Sequence, residues 1–384
     1  MATTTITSGV QYSGIWTMQQ VNAAVAAGTW TGLPCLYSWG TNAQGQLGLG
    51  NVTYYSSPKQ VGSLTNWLNI GVVFGANTLA VKTDGTLWTW GRNQAGQLGL
   101  GNTTYYSSPK QVGALTAWSS IAGGTSHTLS IKTDGTLWSW GNGSAGRLGL
   151  GNTTYYSSPK QIGALTTWSK IACGTLHSIA VKTDGTLWTW GGNGNGQLGL
   201  GDSVARSSPV QVGALTAWLT IAGGHYYTLA IKTDGTLWSW GQNSSGQLGL
   251  GNLTYYSSPK QIGSLTTWSK IAGGGGHTNV IKTDGTFWSW GKNNQGQLGL
   301  GNTTYYSSPK QVGALTAWSS ALGGQLFTIA TKTDGTLWAW GYNGSGALGL
   351  GNTTNYSSPK QIGASTAWLK IGIGNDTSVA IKTT

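Results

Sequence analysis

The sequence predicts an all-β fold: a seven-bladed β-propeller of about 50-residue, four-stranded blades, closed by strands from both termini and preceded by a short N-terminal arm. Three observations predict it. The phrase Lys-Thr-Asp-Gly-Thr-Leu-Trp begins at Lys82, Lys132, Lys182, Lys232 and Lys332, with Phe in place of Leu in the copy at Lys282, a period of 50 residues. Each copy sets Asp-Gly between two apolar-rich stretches, the signature of a β-hairpin. The repeat opens at Leu36-Tyr-Ser-Trp39-Gly without its preceding strand and stops at Val379-Ala-Ile-Lys382-Thr-Thr384 without its following one, so the two ends are complementary halves of one blade.

Residues 1–32 stand outside the repeat and form the arm, and residues 33–384 form the propeller. The arm holds Ile15, Trp16, Met18, Val21 and Trp30, apolar groups with no core of their own to join, which are expected to dock on a partner. It has neither the basic and apolar regions of a signal peptide nor a transmembrane span, and no run in the chain approaches 18 apolar residues, so a product made in the cytoplasm without membrane insertion is expected.

Within a blade, Leu129-Ser-Ile131-Lys-Thr133 and Thr136-Leu-Trp138-Ser-Trp140 flank Asp134-Gly135. A two-residue type I′ turn there would place Ile131 opposite Trp138 and Leu129 opposite Trp140. Lys110-Gln-Val-Gly and Trp118-Ser-Ser-Ile121-Ala supply two further strands, and Ser-Ser-Pro, which recurs seven times, reads as a loop. Helical periodicity is missing from the repeats, which excludes an α-solenoid.

Composition narrows the chemistry. The chain has 384 residues with 64 Gly, 22 Trp and only 7% charged residues; Glu is absent and six of the eight Asp lie in the Lys-Thr-Asp-Gly-Thr phrase. Paired-carboxylate catalysis is thereby excluded, and no enzyme activity is expected. The net charge of +12 comes from cations spread evenly rather than in basic runs, which gives a general attraction to anionic surfaces and no specific nucleic-acid site. Cys35 and Cys173 lie 138 residues apart without a Cys-x-x-Cys pattern, so neither a disulfide framework nor a zinc site is expected. No cofactor or metal is implied.

His127, His177 and His277 share one slot of the repeat, where Asn77, Tyr227 and Phe327 stand in other blades, so packing or hydrogen bonding is expected there rather than metal binding or catalysis. His225 falls two positions earlier, on an inner-rim loop. Gly-Gln-Leu-Gly-Leu-Gly, as at Gly96 to Gly101, lacks the Lys-Ser/Thr of a phosphate loop and reads as tight turns. The loops repeat paired tyrosines, of which the second, Tyr55, Tyr106, Tyr156, Tyr256, Tyr306 and the unpaired Tyr356, are candidate contacts for a sugar or protein surface. In the fourth blade Arg206 replaces that tyrosine and Val210 replaces the usual Lys, a break where recognition could lose its symmetry. The hairpin lysines, Lys82 to Lys382, are expected to be neutralised by the Asp two residues on; those after proline, such as Lys110, form an incomplete positive rim.

The unit from Gly-Gly-x-x-His127 through Asp134-Gly-Thr-Leu-Trp138-Ser-Trp140-Gly to Gly146-x-Leu-Gly-Leu-Gly resembles the repeat of the regulator of chromosome condensation family over residues 36–384. The resemblance implies a seven-bladed propeller; members act as guanine nucleotide exchange factors, chromatin binders and secreted inhibitors of β-lactamase. The near-constant repeat length leaves no inserted wedge for a GTPase, so exchange activity is not expected. Gly14-Ile-Trp16-Thr-Met-Gln-Gln and Ala23-Ala-Val-Ala-Ala-Gly28-Thr-Trp30 resemble an N-terminal phrase of structural proteins of tailed phages. Together these imply a non-enzymatic virion surface protein, a fibre, head-decoration or attachment component. Its arm would bind other virion proteins, and its tyrosine loops a host glycan or protein. The alternative is a soluble protein–protein interaction propeller, an inhibitor or regulatory binder.

Overall fold

Four short apolar-rich stretches separated by glycine-rich turns leave strands as the only regular structure open to each unit. The computed structural model describes residues 32–383 apart from 115 and 215, and the described residues contain no α-helix. The arm residues Ile15, Trp16, Met18, Val21 and Trp30 lie outside the described residues. In the second unit the strands are Trp118–Gly123, His127–Lys132, Leu137–Gly141 and Tyr156–Gln161, each antiparallel to the next. Five four-stranded sheets of this kind stand separately. Two further four-stranded groups are joined into a nine-stranded sheet by the two-residue strand Val72–Val73, which pairs in parallel with Ile373 on one side and Ala122 on the other.

One of the joined groups combines Trp368–Ile373 and Thr377–Thr383 from the end of the chain with Pro34–Gly40 and Tyr55–Gln60 from its beginning. Pro34 to Gly40 pair residue by residue with Thr383 to Thr377. Each group packs on the next through its first strand, and the last packs on the first, so the molecule is a closed all-β propeller with first strands innermost.

The core is built from indoles. Trp118 meets Trp138 and Trp140 edge-on with centroids 6.0 and 5.9 Å apart, and the same triad recurs in five other blades. Tyr37 takes one place in the blade formed from both chain ends. Such pairs contribute roughly 0.5–1.5 kcal/mol beyond burial. The Gly-Gln-Leu-Gly loop of one blade covers the inner indole of the next. Trp340 Nε1 donates to Gln297 O at 3.0 Å, and a Cβ on Gly299 (φ +74°) would fall 2.7 Å from that nitrogen. Gly299→Ala therefore combines a left-handed backbone with a collision, and is expected to cost about 3 kcal/mol, read as a lower urea midpoint.

The hairpin register differs from the two-residue turn expected. Leu137 pairs with Ile131, Trp138 with Ser130 and Trp140 with Thr128. Gly135 N donates to Lys132 O and Lys132 N to Thr136 O, a three-residue loop in which Gly135, at φ +77°, carries the bulge. Asp134 stays out of the left-handed region because its Oδ1 accepts from Thr136 N (2.9 Å) and Thr136 Oγ1 (2.6 Å). Thr136 Oγ1 in turn accepts from Trp138 Nε1 (2.9 Å).

That arrangement also changes the expected role of the hairpin lysines. Asp134 serves the turn, while Lys132 Nζ sits over Trp138 at 4.1 Å and Trp118 at 5.0 Å, so the indole faces hold it rather than a carboxylate. The Ser-Ser-Pro segment is not a loop but lies within the outermost strand, where Pro is tolerated because its missing N–H would face solvent.

Candidate functional site on the variable face of the ring

Antiparallel strands alternate in direction. The turn between the first and second strands therefore leaves the blade at the same end as the connection between the third and fourth, here termed the upper face. The hairpin turns lie on the lower face, and Lys-Thr-Asp-Gly-Thr is the same there in six blades. The upper turns are all different: Gly75-Ala76, Thr125-Ser126, Thr175-Leu176, His225-Tyr226, Gly275-Gly276, Gln325-Leu326 and Asn375-Asp376. So are the residues after Trp-Gly: Thr41, Arg92, Asn142, Gly192, Gln242, Lys292 and Tyr342. A backbone bond of 2.8–3.0 Å ties the two sets together in every blade, as from Arg92 N to Ala76 O and from Lys292 N to Gly276 O.

These turns also link to one another around the axis. Thr175 N donates to His225 O, His225 N to Gly274 O, Gly275 N to Gly324 O, Gln325 N to Asn375 O and Asn375 N to Gly75 O, at 2.9–3.3 Å. Phe74 of the first blade meets His225 of the fourth edge-on with ring centroids 5.3 Å apart. Those blades stand across the ring from each other, so the two rings meet over the axis. Burial, helped by the positive charge of Lys292, holds the His225 imidazole down to about 4, and it is neutral at physiological pH. Beneath the face, His127, His177 and His277 are buried with Nε2 3.0–3.1 Å from Ser178, Thr228 and Thr328 hydroxyls of the following blade. Each of those hydroxyls donates to a carbonyl, so the imidazole donates to the hydroxyl. They are struts between blades.

The second tyrosine of each pair has intramolecular partners. Tyr55, Tyr106, Tyr156, Tyr256, Tyr306 and Tyr356 open the outermost strands half-buried, each under the ammonium of the lysine after proline at 5.2–5.5 Å. Their hydroxyls accept from Asn side chains such as Asn102 and Asn302. The first tyrosine of the pair is the exposed one, 40% at Tyr105 and 52% at Tyr155. Arg206 and Val210 lie in the outermost strand of the third blade, Arg206–Gln211, and the substitutions compensate one another: Arg206 bonds Asp202 (2.6 Å) and Val204 O, and with no phenol left to cover, position 210 holds Val in place of Lys.

Motif-based reasoning misses the upper turns, although the signal is present: with the repeats superposed, no two blades share the same upper-turn pair or the same residue after Trp-Gly. The face offers cations at Arg92 and Lys292, hydroxyls, amides and aromatic edges. Among the described residues no group of three or more His, Cys or Asp side chains could hold a metal, and no helix is long and apolar enough to cross a membrane.

A closed ring with an invariant face and a varied one defines a repeat-propeller scaffold. The Regulator of chromosome condensation (RCC1) repeat matches residues 35–77, 84–131, 134–181, 184–231, 234–281, 284–331 and 334–381, and the chain belongs to that family. It is 42% identical to Protein RCC2 homolog of Xenopus laevis over 79 residues, which are 20% of this chain and 15% of that protein. It is 39% identical to human Protein RCC2 over 79 residues, with the same coverage. The chain thus matches only a small part of the length of these relatives. Prp20p of Saccharomyces cerevisiae, whose crystal structure was described together with its binding to Gsp1p and histones, superposes with a TM-score of 0.82 at 21% identity over 92% of each chain. Human WBSCR16 superposes with a TM-score of 0.81 at 22% identity, over 91% of this chain and 99% of that one. At such identities the likeness concerns the fold.

Proposed function

We propose that this protein is a non-enzymatic protein–protein interaction propeller of seven blades that docks a protein partner on its upper face. One observation carries the reading: blades that repeat one another elsewhere each carry a different upper-turn pair and a different residue after Trp-Gly, and backbone bonds gather the two sets on that face. A structural scaffold gains nothing from such divergence, whereas recognition of an asymmetric partner requires it. The RCC2 relatives and the binding ascribed to Prp20p favour this over a virion surface role, which rests on the phrase at residues 14–30 alone. The arm, through Ile15, Trp16, Met18, Val21 and Trp30, is a second docking element in this proposal.

His225→Gly with Tyr226→Gly gives the fourth blade the Gly-Gly pair of the fifth. Quantitative affinity capture from the source cells is expected to show at least a tenfold loss of the specific partner with this double variant, at unchanged circular dichroism. The lower-face control Asp234→Asn is expected to retain it. Equal capture by both variants would contradict the proposal.

A further inference from the structure

We propose that Arg147 is a receptor for a carboxylate side chain, Asp or Glu, of the protein partner; this rests on the upper-face reading above and gives it a chemistry. In five blades the corresponding residue is Gln, whose Oε1 accepts from the backbone N–H two residues earlier at 2.8–2.9 Å. Arginine has no acceptor. The second blade answers by turning Ala145 to φ +57°, and Arg147 Nε donates to Ser144 O at 2.8 Å. The guanidinium is thus held in place at the expense of a left-handed alanine.

Arg147 is only 7% exposed, and among the described residues its terminal nitrogens make no hydrogen bond and no ion pair. They are also not among the sealed, unpartnered atoms of the interior, so they reach the surface. A guanidinium buried along its length but open at its terminal nitrogens presents them to an anion at the surface. The chain has none to offer. It contains no Glu, six of its eight Asp lie in the lower-face hairpin turns, and Asp202 is taken by Arg206. The last, Asp376, is raised by burial alone, with no cation acting on it. The arm, residues 1–32, has no acidic residue.

The surroundings fit a carboxylate. The Tyr155 hydroxyl is anchored at 2.9 Å to Ser144 Oγ, on the same residue whose carbonyl holds Arg147 Nε. One fixed positive charge among neutral hydroxyls balances a monoanion, which favours a carboxylate over a phosphate dianion, and the guanidinium fork matches a carboxylate in two parallel bonds.

The chain has only three arginines, Arg92, Arg147 and Arg206, so an arginine Nε–Hε NMR spectrum has three signals to follow. Titration of the intact protein with acetate at constant ionic strength is expected to move the Arg147 signal saturably while Arg92 and the ion-paired Arg206 stay still. A stationary Arg147, or three signals drifting together, overturns the proposal. Stronger saturation by inorganic phosphate than by acetate overturns the carboxylate assignment. Arg147→Gln restores the residue of five other blades, so it is expected to fold at least as stably as the parent and to lose at least tenfold in partner capture. Full capture by Arg147→Gln beside loss by the His225/Tyr226 double variant would refute this inference and leave the docking face standing. Retention by both would remove the docking face itself.

Discussion

Deleting residues 375–384 is expected to unfold the whole ring cooperatively, not to fray one end. The deletion takes out Thr377–Thr383, the strand that sits between Trp368–Ile373 and Pro34–Gly40 and pairs with both. It removes the fully buried Val379 and Ile381, worth about 2 kcal/mol each by burial. It also breaks the inter-blade bond from Asn375 N to Gly75 O and leaves two strand edges unpaired in the interior. Together these losses reach the order of the total stability of a domain, about 5–15 kcal/mol. Thermal melting followed by tryptophan fluorescence should show the sigmoidal transition lost or moved down by tens of degrees; an unchanged midpoint would mean that the ring does not depend on the shared blade.

A second large effect is expected in mild acid, and its sign follows from the buried histidines. Burial holds the imidazoles of His177 and His277 down at about 3, against an ordinary value of 6.5. The folded state therefore binds fewer protons than the unfolded chain below pH 6.5. Their contribution is complete above that pH and is lost as the pH falls towards the folded value, by about 1.4 kcal/mol per unit for each ring. Between pH 6.5 and 4.5 the pair costs about 5 kcal/mol. His127, also held well below the ordinary value by burial, and His225, held at about 4 by burial, add to the slope. The hairpin carboxylates, such as Asp134, are lowered by their bonds to threonine, so their contribution is lost only below the ordinary carboxylate range. Asp376, raised by burial, offsets part of the loss as that range is approached. Urea unfolding across pH should show this limb, and His177→Phe with His277→Phe, which places in both blades the residue that Phe327 supplies in the same slot, should reduce its slope to about half, the part left to His127 and His225. A limb of the same slope in the double variant would contradict the assignment.

The all-β propeller, its four-stranded repeat and the pairing of both chain ends could be read from the sequence because period, Asp-Gly spacing and incomplete terminal units are properties of residue order. The hairpin register was not legible. Asp-Gly is compatible with a two- or a three-residue loop, and the choice depends on Thr136, whose backbone and hydroxyl occupy the Asp134 carboxylate. Which tyrosine of a pair faces solvent was hidden for a related reason: strand pleat decides it, and the strand begins earlier than the Ser-Ser-Pro composition suggests. The role of Lys132 required knowing that Trp118, from a different strand, completes its cradle. The upper face could have been read from the repeats themselves, but only the backbone bonds between Trp-Gly neighbours and inner turns show that the two variable sets lie side by side.

The central claim is that the varied upper face binds and the invariant lower face supports. Hydrogen exchange on the complex with the captured partner tests it most directly. New protection is expected in the upper turns, at 125–126, 175–176, 225–226 and 325–326, and around Arg147, with none in the Lys-Thr-Asp-Gly-Thr turns at 132–136 or 232–236. Protection confined to those lower turns, or to the outer tyrosine loops, would contradict it.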